Sequence, residues 1–178
     1  HCDIDDIVYA MNEREHDIRL KRLIKRCEQV GIRLNKGKCV FKKTSIQFLG
    51  HEVNSEVLRA DPGKIQAILE MPKPQTKDEI KTLQGMVGYL AKFLPRLSHE
   101  MEPLRKMLRD DVDFIWGHDQ DKAFDTIKKL VTCSPVLAYY QPEKELVLQC
   151  DASNRGLGAA LLQDGKPIAY KSRAITPT

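Results

Sequence analysis

The sequence has 178 residues, enough for one or two domains with a hydrophobic core, and its 42% hydrophobic and 30% charged residues are ordinary for a soluble globular protein. No apolar run approaches the length of a membrane span, so no membrane partner is expected. Five cysteines without a C-x-x-C pair predict reduced thiols in an intracellular protein and exclude a disulfide framework or a zinc site of that spacing. The net charge of +4 permits contact with nucleic acid without establishing it.

The sequence opens on an acidic stretch. "IDDIVYA" predicts a strand, a tight turn and a second strand, with Asp5 and Asp6 at the turn. Two neighbouring carboxylates on such a turn can hold divalent metal ions, which phosphoryl transfer needs to neutralise developing charge. Acidic turns that hold no metal are common, so a solvated turn stays the alternative to a metal site.

A helix and a hairpin are predicted next. Apolar residues recur with the helical period over residues 13–31, and Gly31 ends the helix. The opposite face is rich in arginine and lysine and is either solvated or a binding patch. Two β-rich runs, at 39–41 and 46–49, predict a hairpin. His51 follows the second run and is more simply structural than catalytic.

From Asp61 onward the patterns are those of helices. "DPGKIQAILE" has an N-cap aspartate followed by proline at the first helical position. "TKDEIKTLQGMVGYLAKFLP" begins with a capping box opened by Thr76 and runs to Pro95. "SHEMEPLRKMLR" predicts a third helix, and the three helices are expected to pack as a bundle over residues 61–110. A fourth helix is predicted around "AFDTIKKLV".

The last part of the sequence predicts three consecutive strands. They are "ELVLQCDAS", "GLGAALLQ" and "KPIAYKSRA", joined by turns at "NRG" and "QDGK". Asp151 lies at the end of the first apolar run, where a buried carboxylate must find a metal ion or hydrogen bonds. A strand-terminal aspartate that caps the next turn is the simpler interpretation of this position. Together these patterns predict a mixed α+β fold.

Several longer segments resemble the polyprotein of gypsy-type LTR retrotransposons. These are "IRLNKGKCVF", "FLGHEVN", the helix ending in "YLAKFLP", and "DASNRGLGAALLQ", in the order in which that family runs from reverse transcriptase into ribonuclease H. The resemblance covers essentially the whole chain and implies four parts: residues 1–48 as the end of the palm, 49–111 as a three-helix thumb, 112–144 as the connection, and 145–178 as the first strands of a ribonuclease H-like α/β domain.

The resemblance also implies chemistry. Asp5, Asp6 and Asp151 match catalytic, metal-binding carboxylates of the family, which use Mg²⁺ or Mn²⁺ to copy RNA into DNA and to degrade the RNA of the hybrid. The implied partners are RNA template, DNA primer, RNA–DNA hybrid and dNTP; the sequence does not indicate an oligomeric state. Asp3 stands where the family has an aromatic residue, and other carboxylates of both sites lie outside this sequence. The isolated chain is therefore expected to be inactive, and a co-opted or remnant module that only binds nucleic acid or protein is the alternative.

In the family the thumb grips the primer–template duplex. The resemblance implies that the corresponding surface here consists of Gln84, Gly85, Gly88, Tyr89, Lys92 and Arg96. The two glycines would let a helix face approach a sugar-phosphate backbone, and the two cations would neutralise phosphates without reading sequence. The alternative is that the glycines allow close helix packing while the cations are merely solvated.

Overall fold

The computed structural model describes residues 7–154 and 156–175. The helices are α1 (Glu13–Val30), α2 (Pro62–Glu70), α3 (Lys77–Tyr89), α4 (Leu97–Glu100), α5 (Glu102–Lys106) and α6 (His118–Thr132). The strands are β1 (Ser45–Phe48), β2 (His51–Asn54), β3 (Val57–Ala60), β4 (Leu137–Ala138), β5 (Val147–Ser153), β6 (Gly156–Gln163) and β7 (Lys166–Ala174). Short 3₁₀ turns occur at Lys36–Lys38 and Ala91–Phe93. Among these described helices, none is long and apolar enough to cross a membrane.

The strands form two antiparallel sheets. One contains β1, β2, β3 and β4 in that order, and the other contains β5, β6 and β7. In the second sheet Asp151 of β5 lies opposite Gly158 of β6, which in turn lies opposite Ser172 of β7. The turn between β6 and β7 places Asp164 and Gly165 at positive φ, the conformation that Asp-Gly favours in tight hairpins. The three strands predicted at this end of the sequence are confirmed.

One hydrophobic core joins the helices to the first sheet. Its buried side chains come from α2 to α6, from the segment around Phe93, and from the ends of β3 and β4. Ile68 of α2, Leu83 of α3 and Ile127 of α6 are completely buried in it. The predicted bundle therefore does not close with three helices, because α6 supplies the fourth face of the same core.

The predicted caps explain where two of these helices begin. The Asp61 carboxylate accepts the Gly63 N–H at 2.8 Å, and the Thr76 hydroxyl accepts the Glu79 N–H at 3.2 Å. Glu79 in turn accepts the N–H of Gln75 at 2.6 Å, one residue before the position expected in a capping box. Both helix starts are confirmed.

The predicted helix ends are partly wrong. The second helix stops at Tyr89, and the chain continues to Pro95 through a 3₁₀ turn. The third helix is divided at Met101 into α4 and α5. Pro103 accounts for this division, because proline has no N–H for the helix and its ring obstructs the preceding turn.

The strands predicted near the beginning of the chain are also corrected. No strand occurs within described residues 7–12, where the Tyr9 carbonyl instead accepts a hydrogen bond from Arg19 at 2.8 Å. Residues 39–41 are irregular, and β1 pairs with β2 through a two-residue turn at Leu49 and Gly50. Leucine rarely adopts positive φ, and Leu49 has φ 45°, so no local signal marked this turn.

Helix α1 stands apart from the core. It begins at the Asn12 cap and ends where Gly31 adopts φ 76°, as predicted. Its predicted apolar stripe is largely exposed, with Ile18 at 45% and Ile24 at 38% accessibility, and Cys27 is its one buried residue. The helix is therefore stabilised mainly by its own caps and local contacts.

Candidate nucleic-acid interface and the surface around Asp151

The outer face of α3 is open at two glycines. Gln84, Gly85 and Gly88 are exposed and lie on one side of the helix because their spacing follows the helical period. A Cβ atom added to either glycine would meet no atom of the described residues within 4 Å. No neighbouring helix therefore packs against them, and close helix packing does not explain these glycines.

Tyr89 has structural contacts on several sides. Its hydroxyl donates to the Leu49 carbonyl at the β1–β2 turn, and its ring stacks on His51 with centroids 5.1 Å apart. The Lys64 ammonium lies 3.8 Å from the centre of the ring. A Cβ on Gly50 would lie 2.6 Å from Cε of Lys64 and would overlap the Tyr89 hydroxyl, so the turn needs glycine there. Tyr89 thus holds the β1–β2 turn against α3.

His51 and Lys92 are less solvated than most ionisable groups of the surface. Burial lowers the pKa of His51 below its ordinary value of 6.5, the Lys92 and Lys64 charges lower this pKa further, and Asp61 opposes them. Burial also lowers the pKa of Lys92 below its ordinary value of 10.5. The His51 ring packs against Tyr89 and Phe93, which agrees with a structural role.

Arg96 and Asp151, predicted for different ligands, lie next to each other. The Arg96 Nη2 atom is 3.6 Å from the Asp151 Oδ2 atom, with 59% and 64% of the two side chains exposed. Asp151 lies within β5 and points to solvent, so the expectation of a buried carboxylate at the end of a strand is wrong. The error arose because every residue of β5 before Ser153 is exposed, although the run is apolar.

The described residues by themselves do not fit a divalent-metal site. Among them, no three His, Cys, Asp or Glu side chains lie close enough together to hold a metal ion. Asp151 faces a guanidinium instead of a second carboxylate. Asp5 and Asp6, the other predicted ligands, lie outside the described residues.

Gln163 is a structural residue that sequence reasoning did not single out. Its side chain is 4% exposed, and its Oε1 atom accepts the Gln141 N–H at 2.9 Å. Its Nε2 atom donates to the carbonyls of Gln141 and Lys144 at 2.8 and 2.9 Å. The amide satisfies a buried loop by the donor and acceptor it carries, and only its place at the end of "GAALLQ" hinted at this.

The three-stranded sheet and the helix before it decide the comparison with known families. Residues 116–178 match the RNase H-like domain found in reverse transcriptase. This RNase H-like match includes α6 as well as β5 to β7, so it begins within the stretch that the sequence assigned to the connection. It covers about a third of the chain.

Relatives cover nearly all of the sequence. The Tf2-3 transposon polyprotein of Schizosaccharomyces pombe is 30% identical over 181 residues, which span 98% of this chain and 14% of the polyprotein. The Tf2-7 polyprotein of the same organism is 29% identical over the same extent. The chain thus spans about a seventh of the length of the curated relatives it matches.

Solved structures show the same fold. The foamy viral protease-reverse transcriptase in complex with RNA/DNA hybrid matches with a TM-score of 0.83 and 20% identity, over 94% of this chain and 24% of that one. The same viral protein in complex with dsDNA matches with a TM-score of 0.79 and 21% identity, over 91% of this chain and 35% of that one. The predicted α+β fold of a reverse transcriptase segment is confirmed.

Proposed function

We propose that the chain is a segment of a gypsy-type retrotransposon reverse transcriptase with ribonuclease H, and that the helical unit containing α3 binds RNA–DNA hybrid. The intact protein would copy RNA into DNA and degrade the RNA strand by metal-dependent phosphoryl transfer. The identity shared with the Tf2 polyproteins along nearly the whole chain supports this family, as does the RNase H-like match at residues 116–178. The division into end of palm, thumb, connection and ribonuclease H start belongs to the same proposal.

The observation that carries the binding proposal is the open face at Gly85 and Gly88. Glycine within a helix lowers stability by about 0.5–1 kcal/mol relative to alanine, and here no packing contact offsets that cost. A bare helix face lets a sugar-phosphate backbone come within contact distance. Lys92 and Arg96 follow the same helix and can neutralise phosphates at its end. Tyr89 contributes by positioning the β1–β2 turn beside this face.

Alanine substitution of both glycines tests this proposal through two effects of opposite sign. Gly85→Ala with Gly88→Ala is expected to raise the free energy of unfolding by about 1–2 kcal/mol, from helix propensity alone. The same variant is expected to bind RNA–DNA hybrid less tightly, because the methyl groups keep the backbone away. Chemical denaturation and fluorescence anisotropy with labelled hybrid measure the two effects.

A matched control separates local from general effects. Gln66→Ala changes an exposed position of α2, where the side chain bonds only to Glu70 among the described residues. This variant is expected to leave hybrid affinity unchanged. If the double glycine variant is more stable and binds hybrid as tightly as the unsubstituted chain, the α3 face does not bind nucleic acid.

For the catalytic centres we propose that Asp5, Asp6 and Asp151 hold magnesium in the intact protein, together with carboxylates that lie outside this sequence. The described residues do not make such a site alone, so the isolated chain is expected to lack polymerase and ribonuclease H activity. Primer extension and hybrid cleavage with Mg²⁺ and Mn²⁺ test this. Cleavage that disappears in Asp151→Asn would show a working site and contradict the expectation.

A non-enzymatic remnant or co-opted module is the second candidate. No observation on the described residues favours it over a segment of an enzyme. The transcript that encodes the chain distinguishes the two: a reading frame that continues through reverse transcriptase on one side and ribonuclease H on the other is expected from the first proposal.

A further inference from the structure

The Arg96–Asp151 ion pair lies between two depressions of the surface. A small cavity of about 10 Å³ on one side is lined by both residues, together with Gly158 and Ser172. A wider cleft of about 420 Å³ on the other side is again lined by both residues, and by Tyr170. The pair therefore forms the wall that the two depressions share, and a ligand that enters either one meets both side chains.

From this geometry we propose that Arg96 competes with a divalent cation for the Asp151 carboxylate. The inference rests on the proposed function, since only there is Asp151 a metal ligand. A guanidinium 3.6 Å from the carboxylate places a positive charge where a metal ion would approach. Like charges repel at such distances, so the cation binds Asp151 fully only after the Arg96 side chain has moved away.

The backbone beneath Arg96 is fixed, although its side chain is exposed. The Ser98 N–H donates to the Ser172 hydroxyl at 2.9 Å and attaches this turn to β7. Arg96 itself adopts φ 57°, and its Cγ passes 3.9 Å from the place where a Cβ on Gly158 would lie. The sheet thus leaves room for the side chain to reach Asp151 from an anchored turn.

The pair has the strength of a switch rather than of a permanent contact. Exposed ion pairs are worth little, so a metal ion or a phosphate group can displace either partner. A phosphate that draws Arg96 away would free Asp151 for a cation, and by linkage a cation on Asp151 would free Arg96 for phosphate. Hybrid and divalent cation should therefore bind with mutual support.

The experiment measures Mn²⁺ binding to the full chain by NMR. Mn²⁺ bound at Asp151 broadens the amide signals of Ala152 and Gly158, which flank or face that residue. Arg96→Gln is expected to tighten this site about two- to fivefold, the range that loss of one exposed ion pair allows. Asp151→Asn is expected to remove the local broadening in both backgrounds.

The control variant is Arg173→Gln, which removes an equal charge from the same sheet. Arg173 follows Ser172 on β7 and therefore lies on the opposite face, because side chains alternate along a strand. Equal changes in Arg96→Gln and Arg173→Gln would overturn the proposal, and so would an absence of local broadening in Arg96→Gln. Hybrid affinity is measured on the same samples: if it is retained while the Mn²⁺ result fails, the competition is refuted and the proposed hybrid binding stands.

Discussion

Lys128 offers the sharpest test of how the helical unit is held together. Its ammonium lies at the end of α2 and donates to the carbonyls of Leu69 and Met71, each at 2.7 Å. It also lies 4.6 Å from the centre of the Phe124 ring. The last carbonyls of a helix carry partial negative charge and lack partners within the helix, so a cation from α6 is well placed to satisfy them.

Lys128→Met keeps most of the aliphatic packing and removes both hydrogen bonds. A hydrogen bond to a charged group contributes about 1.5–3 kcal/mol, which sets an upper range of about 3–6 kcal/mol for two. Lys128 is only half-buried, so water recovers part of this at the freed carbonyls, and the ammonium no longer has to be desolvated. We expect the free energy of unfolding to fall by about 2 kcal/mol, within the range for a carbonyl left unpaired.

Urea denaturation followed by circular dichroism measures this loss, and the midpoint temperature should fall by about 4–8 °C. Lys129→Met is the matched control, since Lys129 is the exposed neighbour on the same helix. Surface substitutions of that kind change stability by less than about 0.5 kcal/mol. If the two variants lose the same stability, Lys128 does not hold α2 to α6.

Three further results are expected. Removing the charges of Lys92 and Arg96 should weaken hybrid binding and flatten its dependence on salt, as measured by anisotropy titrations; an unchanged salt slope would leave both cations as solvated residues. The folded state holds the pKa of His51 below 6.5, so stability should be complete above that pH and decline as pH falls below it, and His51→Phe should lack this decline in denaturation curves recorded across pH 5–8 (about one unit to either side of the ordinary histidine pKa). Gln163→Leu should cost about 1–3 kcal/mol in chemical denaturation, because it leaves the Gln141 and Lys144 backbone groups unpaired, and a smaller loss would mean that water replaces the amide.

Local signals predicted the elements whose causes are local. Asp61 and Thr76 begin helices through their own side chains, Gly31 ends α1, and the Asp-Gly turn joins β6 to β7. Such features depend on residues within a few positions of each other, which a sequence displays directly.

Features that depend on distant residues could not be predicted in the same way. The position of Asp151 opposite Arg96 joins residues on separate elements, and Lys128 reaches carbonyls at the end of another helix. The β1–β2 turn relies on Tyr89, forty positions away, to hold Leu49 in an unusual conformation. The resemblance to retrotransposon polyproteins named candidate residues, but only the fold shows which of them meet.

The separation of α1 from the core has a consequence for how the chain opens. An isolated helix of 18 residues is only marginally stable in water, whereas α3 and α6 share a buried interior. Backbone amides of α1 should therefore exchange their hydrogens through local fraying, at rates that denaturant hardly changes. Amides around Leu83 and Ile127 should exchange only when the whole core unfolds. The molecule would then contain two units of cooperativity, with the boundary near Gly31, where one part can melt while the other keeps its native packing.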